Sequence, residues 1–142
     1  MSLEEALIEA AEHFAKETLG CGAKLTASTP RKRAWTASVD AIGDKKWSVK
    51  AHAPKPVLKQ MAKLFLNEES PSDDDLRDLI GEIANLVAGR AKAVASDRGL
   101  QFDISPPRFE GKSKPIAKDA DINLHFAFAD DVFTISASCE RQ

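Results

Sequence analysis

Apolar residues recur every three or four positions between residues 76 and 94, and this spacing predicts the longest helix of the chain. Ser72 is suited to be its N-cap, with Asp75 three residues later as in a capping box. Gly99 is suited to the C′ position, because glycine adopts positive φ without strain. The predicted buried face of this helix consists of Leu76, Leu79, Ile80, Ile83, Leu86, Val87, Ala91 and Val94.

Two shorter helices are predicted from the same periodicity. The first opens at Ser2, in a second capping box with Glu5, and runs to about Leu19. The second begins at Pro54, because proline is tolerated in the first turn of a helix. Their predicted apolar faces are Leu3, Leu7, Ala10 and Phe14 in the first helix, and Val57, Leu58, Met61, Leu64 and Phe65 in the second.

Alternation of apolar and polar positions predicts a hairpin in the first half of the chain. Its strands run from Trp35 to Ala41 and from Trp47 to Ala51, and each should bury one face. Gly43 and Asp44 provide the turn between them. A short strand over residues 24–28 is predicted to precede this hairpin.

The last third of the chain is predicted to add strands to the same sheet. One strand follows Gly99, a polar loop covers residues 108–119, and a hairpin turns at Asp130 after the strand Ile122–Ala129. The order of a helix, strands, two helices and strands predicts an α+β fold. We therefore expect one domain over residues 1–142, with a mainly antiparallel sheet packed with the long central helix and two further helices.

Composition and charge exclude several classes of function. The chain is 43% hydrophobic and 30% charged, as in soluble globular proteins, and its net charge of −2 favours neither nucleic acid nor an anionic membrane. No apolar run approaches the roughly 18 residues of a membrane span. No secretory leader is visible, and Cys21 and Cys139 lack metal-ligand spacing, so we expect a cytoplasmic protein with free thiols.

The polar side of the long helix carries an acid and an amide one turn apart. Glu82 and Asn85 lie opposite Ile83 and Val87, and Gly89 follows near the same azimuth. Glycine inside a helix costs roughly 1 kcal/mol relative to alanine. Either another surface approaches closely there, or packing within the fold is tight. From periodicity alone, an exposed glutamate and asparagine are ordinary solvated residues.

The sequence around this pair resembles a known family. Residues 81–92, GEIANLVAGRAK, resemble the helix that carries an acid-x-x-Asn motif in the CheC/CheX/FliY chemotaxis phosphatases. Residues 99–107, GLQFDISPP, resemble the segment that follows this helix in CheX. The single copy of the motif is the CheX arrangement, whereas CheC resembles a version with two copies. Arg90 departs from the pattern, because CheX-like sequences commonly carry Asn there.

The resemblance implies a phosphatase that accelerates aspartyl-phosphate hydrolysis on a CheY-like response-regulator receiver, in chemotaxis or another two-component pathway. Asn85 would align the attacking water, and Glu82 would bind the active-site lysine of the receiver. The side chains expected to contact the partner are Asp78, Ala88, Gly89 and Lys92.

The resemblance also carries expectations about cofactors and assembly. The chain should need no cofactor of its own, because Mg²⁺ belongs to the phosphorylation pocket of the receiver. A homodimer is expected, for which the strand Ile122–Ala129 offers a pairing edge. The alternative is a non-catalytic adaptor or dimerisation module of the same fold. Neither reading involves a nucleic acid or a membrane.

Overall fold

The fold is α+β, as the sequence predicts, with three helices on a curled antiparallel sheet. The structure is a computed structural model that describes residues 2–20, 22–116, 118–128 and 130–140. Predictions that involve Cys21 and Ala129 therefore lie outside the described residues. The elements are α1 Leu3–Thr18, β1 Lys24–Leu25, β2 Arg33–Ile42, β3 Lys46–Ala53, α2 Lys55–Phe65, α3 Asp73–Ser96, β4 Asp103–Ile104, β5 Arg108–Pro115, β6 Ile122–Phe128 and β7 Asp131–Cys139.

The sheet has a nearly symmetric strand order. The strands follow one another as β1-β6-β7-β3-β2-β4, with β5 also paired to β2, and every pairing among the described residues is antiparallel. If β1 is exchanged with β4, and the β2–β3 hairpin with the β6–β7 hairpin, the result is the same strand order read from the opposite edge of the sheet. The two hairpins therefore meet at the centre of the sheet, where β3 pairs with β7.

Helices α1 and α3 are also related by this exchange. They pack against each other, and α3 contacts β2 and β3. When Glu9 of α1 is aligned with Glu82 of α3, buried and exposed positions coincide along both helices. The agreement extends from Leu3 to Glu17, except that Glu12 and Lys16 are exposed where their counterparts in α3 are half-buried. Few of the aligned residues are identical, so the repeat is not visible as a strict repeat in the sequence.

The long helix α3 begins as predicted and packs slightly differently. Ser72 Oγ accepts from the Asp75 backbone N–H at 3.1 Å, and the Ser72 N–H donates to the Asp75 carboxylate at 3.0 Å, which completes the capping box. Gly99 has φ of +87°, but it lies two residues beyond the C-cap Asp97. The buried face differs from the predicted one: Leu86 and Val94 are half-buried, and the buried positions also include Ala84, Ala88 and Ala95.

The shorter helices match their predicted boundaries within one residue. The Ser2 hydroxyl caps α1 by accepting from the Glu5 N–H at 3.2 Å. In α2 the prediction of Leu64 as a buried residue is wrong, because its side chain is 51% exposed and Ala62 is buried instead. No described helix combines the length and the apolar character needed to span a bilayer.

The prediction of a polar loop at residues 108–119 is wrong for most of this range. Residues 108–115 form β5, which pairs with β2 through a register shift around Thr36. Phe109 provides its main apolar anchor, with its ring centroid 6.0 Å from that of Trp35. Lys112 Nζ lies 5.5 Å from the centroid of the Trp35 ring. A strand with a single large apolar residue has too little alternation to be found from the sequence.

The sheet also buries polar residues on the face opposite the helices. Thr36, His52 and Ser136 are each 2% exposed, so the expectation of one buried face in the first hairpin is wrong. The His52 ring joins the other two, with Nδ1 2.9 Å from Thr36 Oγ1 and Nε2 2.8 Å from Ser136 Oγ. These hydrogen bonds satisfy groups that would otherwise be costly to bury.

The strand β6, which was predicted to offer a pairing edge to a second copy, is partly covered by β1. Within the described residues, β1 pairs with Phe126 and Ala127 of β6, and Thr26 donates its N–H to the His125 carbonyl at 2.9 Å. In the part of the chain that the structure describes, the first residues of β6, from Ile122 to Leu124, pair only with β7. The remaining edge is therefore short.

Candidate functional site

The outward side of α3 presents Glu82 and Asn85 with no partner in the described part of the chain. The Glu82 side chain is exposed, and that of Asn85 is half-buried. Neither side chain makes a hydrogen bond or ion pair to a described residue, so neither is needed to hold the fold together. Both are available to a molecule that approaches α3 from solvent.

Two walls flank this stretch of α3. Helix α1 lies along one side. Residues 103–107 run along the other side, where Ile104 approaches Gly89, Pro107 approaches Gly81, and Asp103 Oδ1 pairs with Lys92 Nζ at 3.3 Å. Asn85 therefore lies between the positions at which Pro107 and Ile104 touch the helix.

Gly89 is not required by packing within this chain. Among the described residues, a β-carbon at position 89 would meet only Ile104 Cδ1, at 3.8 Å, which is an ordinary van der Waals contact. The helix therefore carries a glycine cost of roughly 1 kcal/mol that its own fold does not demand. Of the two explanations that the sequence left open, close approach of another surface is the one that the contacts favour.

A shallow depression of about 400 Å³ crosses α3 at this bare position. It joins the α1 wall to Ile104 on the opposite side, and Asn85 lies on its lining. The α1 residues of this depression were not found from the sequence, because no local pattern shows which distant helix will lie beside α3. The lining residues are Ala10, His13, Phe14, Thr18, Asn85, Leu86, Gly89, Arg90, Ala93 and Ile104.

The other predicted contact residues divide into exposed and buried ones. Asp78 and Lys92 are exposed on α3 on the same outward side as Glu82. Ala88 is 1% exposed and belongs to the hydrophobic core, so its expected contact with a partner is wrong. At about 100° per residue, position 88 turns away from the polar side and toward the sheet.

Titratable groups with displaced pKa values lie away from this surface. Burial, with smaller contributions from Lys50 and His125, lowers the pKa of His52 to about 4. A hydrogen bond from the Arg108 guanidinium lowers the pKa of Asp40, which it meets through two contacts of 3.0 Å. Among the described residues, no group of three or more His, Cys, Asp or Glu side chains is placed to hold a metal ion.

Comparisons with known proteins agree with this architecture. The sequence model of the family described as "Chemotaxis phosphatase CheX" matches residues 35–127. A search of curated proteins finds no match. The chemotaxis protein CheX from Vibrio vulnificus has a similar structure, with a TM-score of 0.84 and 18% sequence identity over 99% of this chain and 97% of that one.

Two further solved structures share the fold over almost the whole chain. The chemotaxis protein CheX from Desulfovibrio desulfuricans has a TM-score of 0.81 and 20% identity, over 99% of this chain and all of that one. CheX in a complex with CheY, BeF₃ and Mg²⁺ from Borrelia burgdorferi has a TM-score of 0.75 and 18% identity, with 99% of both chains covered. At these identities the structural likeness establishes the fold.

Proposed function

The chain belongs to the CheX family of chemotaxis phosphatases, and from this membership we propose that it accelerates hydrolysis of the aspartyl phosphate on a CheY-like receiver domain. The observation that carries the proposal is the outward, unpartnered pair of Glu82 and Asn85 on a rigid helix. The Borrelia burgdorferi structure, a complex of CheX with CheY, BeF₃ and Mg²⁺, supports a CheY-like domain as the partner.

Asn85 is the proposed catalytic residue. Its amide oxygen accepts a hydrogen bond from water and its NH₂ group donates one, so a single side chain can fix both the position and the orientation of a water molecule. The oxygen of this water attacks phosphorus, and the bond between phosphorus and the aspartate oxygen breaks. The products are inorganic phosphate and the free carboxylate of the receiver, with the water protons passing to phosphate and solvent.

The rate gain in this mechanism comes from position rather than from acid–base chemistry. A water held in line with the breaking bond no longer has to be recruited and oriented from bulk solvent. Such alignment requires a side chain that is placed to within a fraction of an ångström. The 24-residue length of α3, its capping box and its buried underside provide that rigidity.

Glu82 is the proposed anchor for the receiver. Its carboxylate is exposed and has no ion-pair partner among the described residues, so it is free to meet a cation of the incoming domain. The lysine of the receiver's active site is the cation that the family resemblance implies. This contact would orient α3 so that Asn85 enters the phosphorylation pocket.

The Mg²⁺ ion of the reaction is proposed to come with the receiver. It would neutralise the phosphoryl oxygens while Asn85 and Glu82 act on the water and on the lysine. In this division of labour each chain supplies half of the active site.

The proposal is tested by measuring phosphate release from the phosphorylated receivers of the same organism, with and without this protein. We expect faster release from at least one receiver, and an effect that saturates with protein concentration. A full panel of receivers whose phosphate lifetimes do not change would reject the phosphatase function and leave the adaptor alternative.

Homodimer formation is a separate proposal. The unpaired edge of β6 from Ile122 to Leu124 supports it, because an open strand edge can pair with another copy. Light scattering coupled to size-exclusion chromatography measures the mass directly. A monomer mass at micromolar concentration would reject it without affecting the catalytic proposal.

A further inference from the structure

Between residues 78 and 92 of α3, the exposed acids precede Asn85 and the exposed cations follow it. Asp78 and Glu82 precede it, and Arg90 and Lys92 follow it. Arg90 and Lys92 are two residues apart and therefore face different flanks of the helix. Arg90 lines the depression beside α1, and Lys92 pairs with Asp103 of β4.

Of the two cations, Arg90 is the one without a polar contact to the described part of the chain. Lys92 is held by Asp103 at 3.3 Å, whereas Arg90 makes no hydrogen bond or ion pair with any residue that the structure describes. Its side chain is exposed, and it lines the same depression as Asn85. An unpaired guanidinium at the rim of a site is available for a contact with another molecule.

The surroundings of Arg90 favour a contact with a protein surface. The floor of the depression is apolar, with Phe14 from α1, Leu86 from α3 and Ile104 from β4. His13 and Thr18 of α1 also line it. A volume of about 400 Å³ leaves room for one or two side chains of a partner.

We propose that Arg90 determines which receiver this chain accepts, by pairing with a carboxylate on the receiver surface beside the phosphorylation pocket. The inference rests on the proposed function and names a specificity residue for it. Glu82 and Arg90 are eight residues apart, which at 1.5 Å per residue is about 12 Å along α3. The preferred receiver therefore presents a cation toward Glu82 and a carboxylate toward Arg90, offset by about 12 Å along the axis of α3.

The chemistry of arginine suits this role. Its planar guanidinium binds a carboxylate through two parallel hydrogen bonds, which fixes direction as well as distance. Charged contacts at an interface select partners mainly by penalising like charges, so a receiver with a lysine at this place would be rejected. Asn85 and Glu82 bind in the phosphorylation pocket, and Arg90 contacts the receiver surface beside it.

The test uses the receivers of the same organism, activated with beryllofluoride and Mg²⁺, and measures their affinity for the full chain. Arg90→Glu should raise the Kd for the best wild-type receiver by at least about tenfold, because it places two carboxylates face to face. The maximal rate of phosphate release at saturation should stay within about twofold of wild type, because Asn85 is unchanged. Arg90→Asn should reduce the differences in Kd across the panel.

Lys59→Glu is the matched control, because it makes the same charge change at an exposed position on α2. It should leave the Kd values unchanged, and circular dichroism should show that all three variants are folded. Equal losses in Lys59→Glu and Arg90→Glu, or wild-type affinities in Arg90→Glu, would overturn the inference. If the wild-type chain accelerates phosphate release from a receiver and Arg90→Glu has the wild-type Kd for every receiver, the phosphatase function is kept and only the proposed role of Arg90 is rejected. A wild-type chain that acts on no receiver rejects both.

Discussion

Gly89 and Ile104 line the same depression, and a β-carbon added to the glycine would stand 3.8 Å from Ile104 Cδ1. The fold has room for that atom, so Gly89→Ala should raise the free energy of unfolding by about 0.5–1 kcal/mol through helix propensity. The same methyl group would project toward the incoming receiver and should weaken binding several-fold. Denaturant unfolding and receiver titration measure the two effects.

Gly81→Ala is the matched control for this prediction. Gly81 is in the same helix, and a β-carbon there would stand 3.9 Å from Pro107 Cβ. It should be stabilised by a similar amount and retain receiver affinity. Destabilisation by Gly89→Ala would show that the glycine serves internal packing after all.

Removal of the Asn85 amide should abolish catalysis and spare the fold. Asn85→Ala loses the group proposed to align water, and we expect at least about a hundredfold lower rate of accelerated phosphate release at saturating protein. Because the amide has no partner within the described residues, stability should change by less than about 0.5 kcal/mol. Binding to an activated receiver should persist. Wild-type phosphate release in this variant would remove the mechanism.

Substitutions of Glu82 should weaken binding of the receiver. Glu82→Ala should raise the receiver concentration needed for half-maximal rate by about tenfold, and Glu82→Lys by more, since it opposes a cation with a cation. Glu69→Lys makes the same charge change in the connection before α3, where the exposed pair with Lys63 contributes little, and it serves as control. A drop in maximal rate with unchanged half-saturation would assign Glu82 to the chemical step instead.

His52 should make the fold sensitive to mild acid. Its pKa is about 4 in the folded protein and about 6.5 when unfolded, so the unfolded chain binds more protons between these values. Stability from this group is complete above about pH 6.5 and is lost as the pH falls toward 4, by about 3 kcal/mol in total. His125, whose pKa burial also lowers, acts in the same direction.

Urea unfolding at several pH values between 4 and 7 measures this loss. His52→Gln removes the titrating ring and should give a flatter dependence over that range. An equally steep dependence in the variant would place the acid sensitivity elsewhere in the chain.

Local patterns were sufficient to predict α3 and its outward pair. The apolar period and the Ser72–Asp75 capping box depend on residues within one helix, so they are visible in the sequence without knowledge of the fold. The same holds for the β2–β3 hairpin, whose turn at Gly43 is local. A side chain at Gly43 would also place its β-carbon 2.7 Å from the Gln101 carbonyl oxygen, and this contact was not predictable.

The surroundings of the site depend on long-range contacts and were missed for that reason. The walls around Asn85 come from α1 and from Ile104, and their approach to α3 is decided by packing on the sheet. Ala88 was misplaced because a short apolar residue suits either a core or a bare docking surface. The pairing of β5 with β2 joins Phe109 to Ala37 across about half of the chain, and the sequence of β5 has little alternation.

The two halves of the fold have similar shapes, but the charges that α1 and α3 present to solvent differ. Glu9 takes the place of Glu82 in the other half, but its carboxylate is already neutralised by Arg98 at 3.2 Å, and Lys16 fills the space that Gly89 leaves bare. Among the described residues, an acid without an ion-pair partner beside an open depression is therefore present on α3 and absent at the equivalent place on α1. A scaffold built from two similar halves would thus bind its target with a stoichiometry of one.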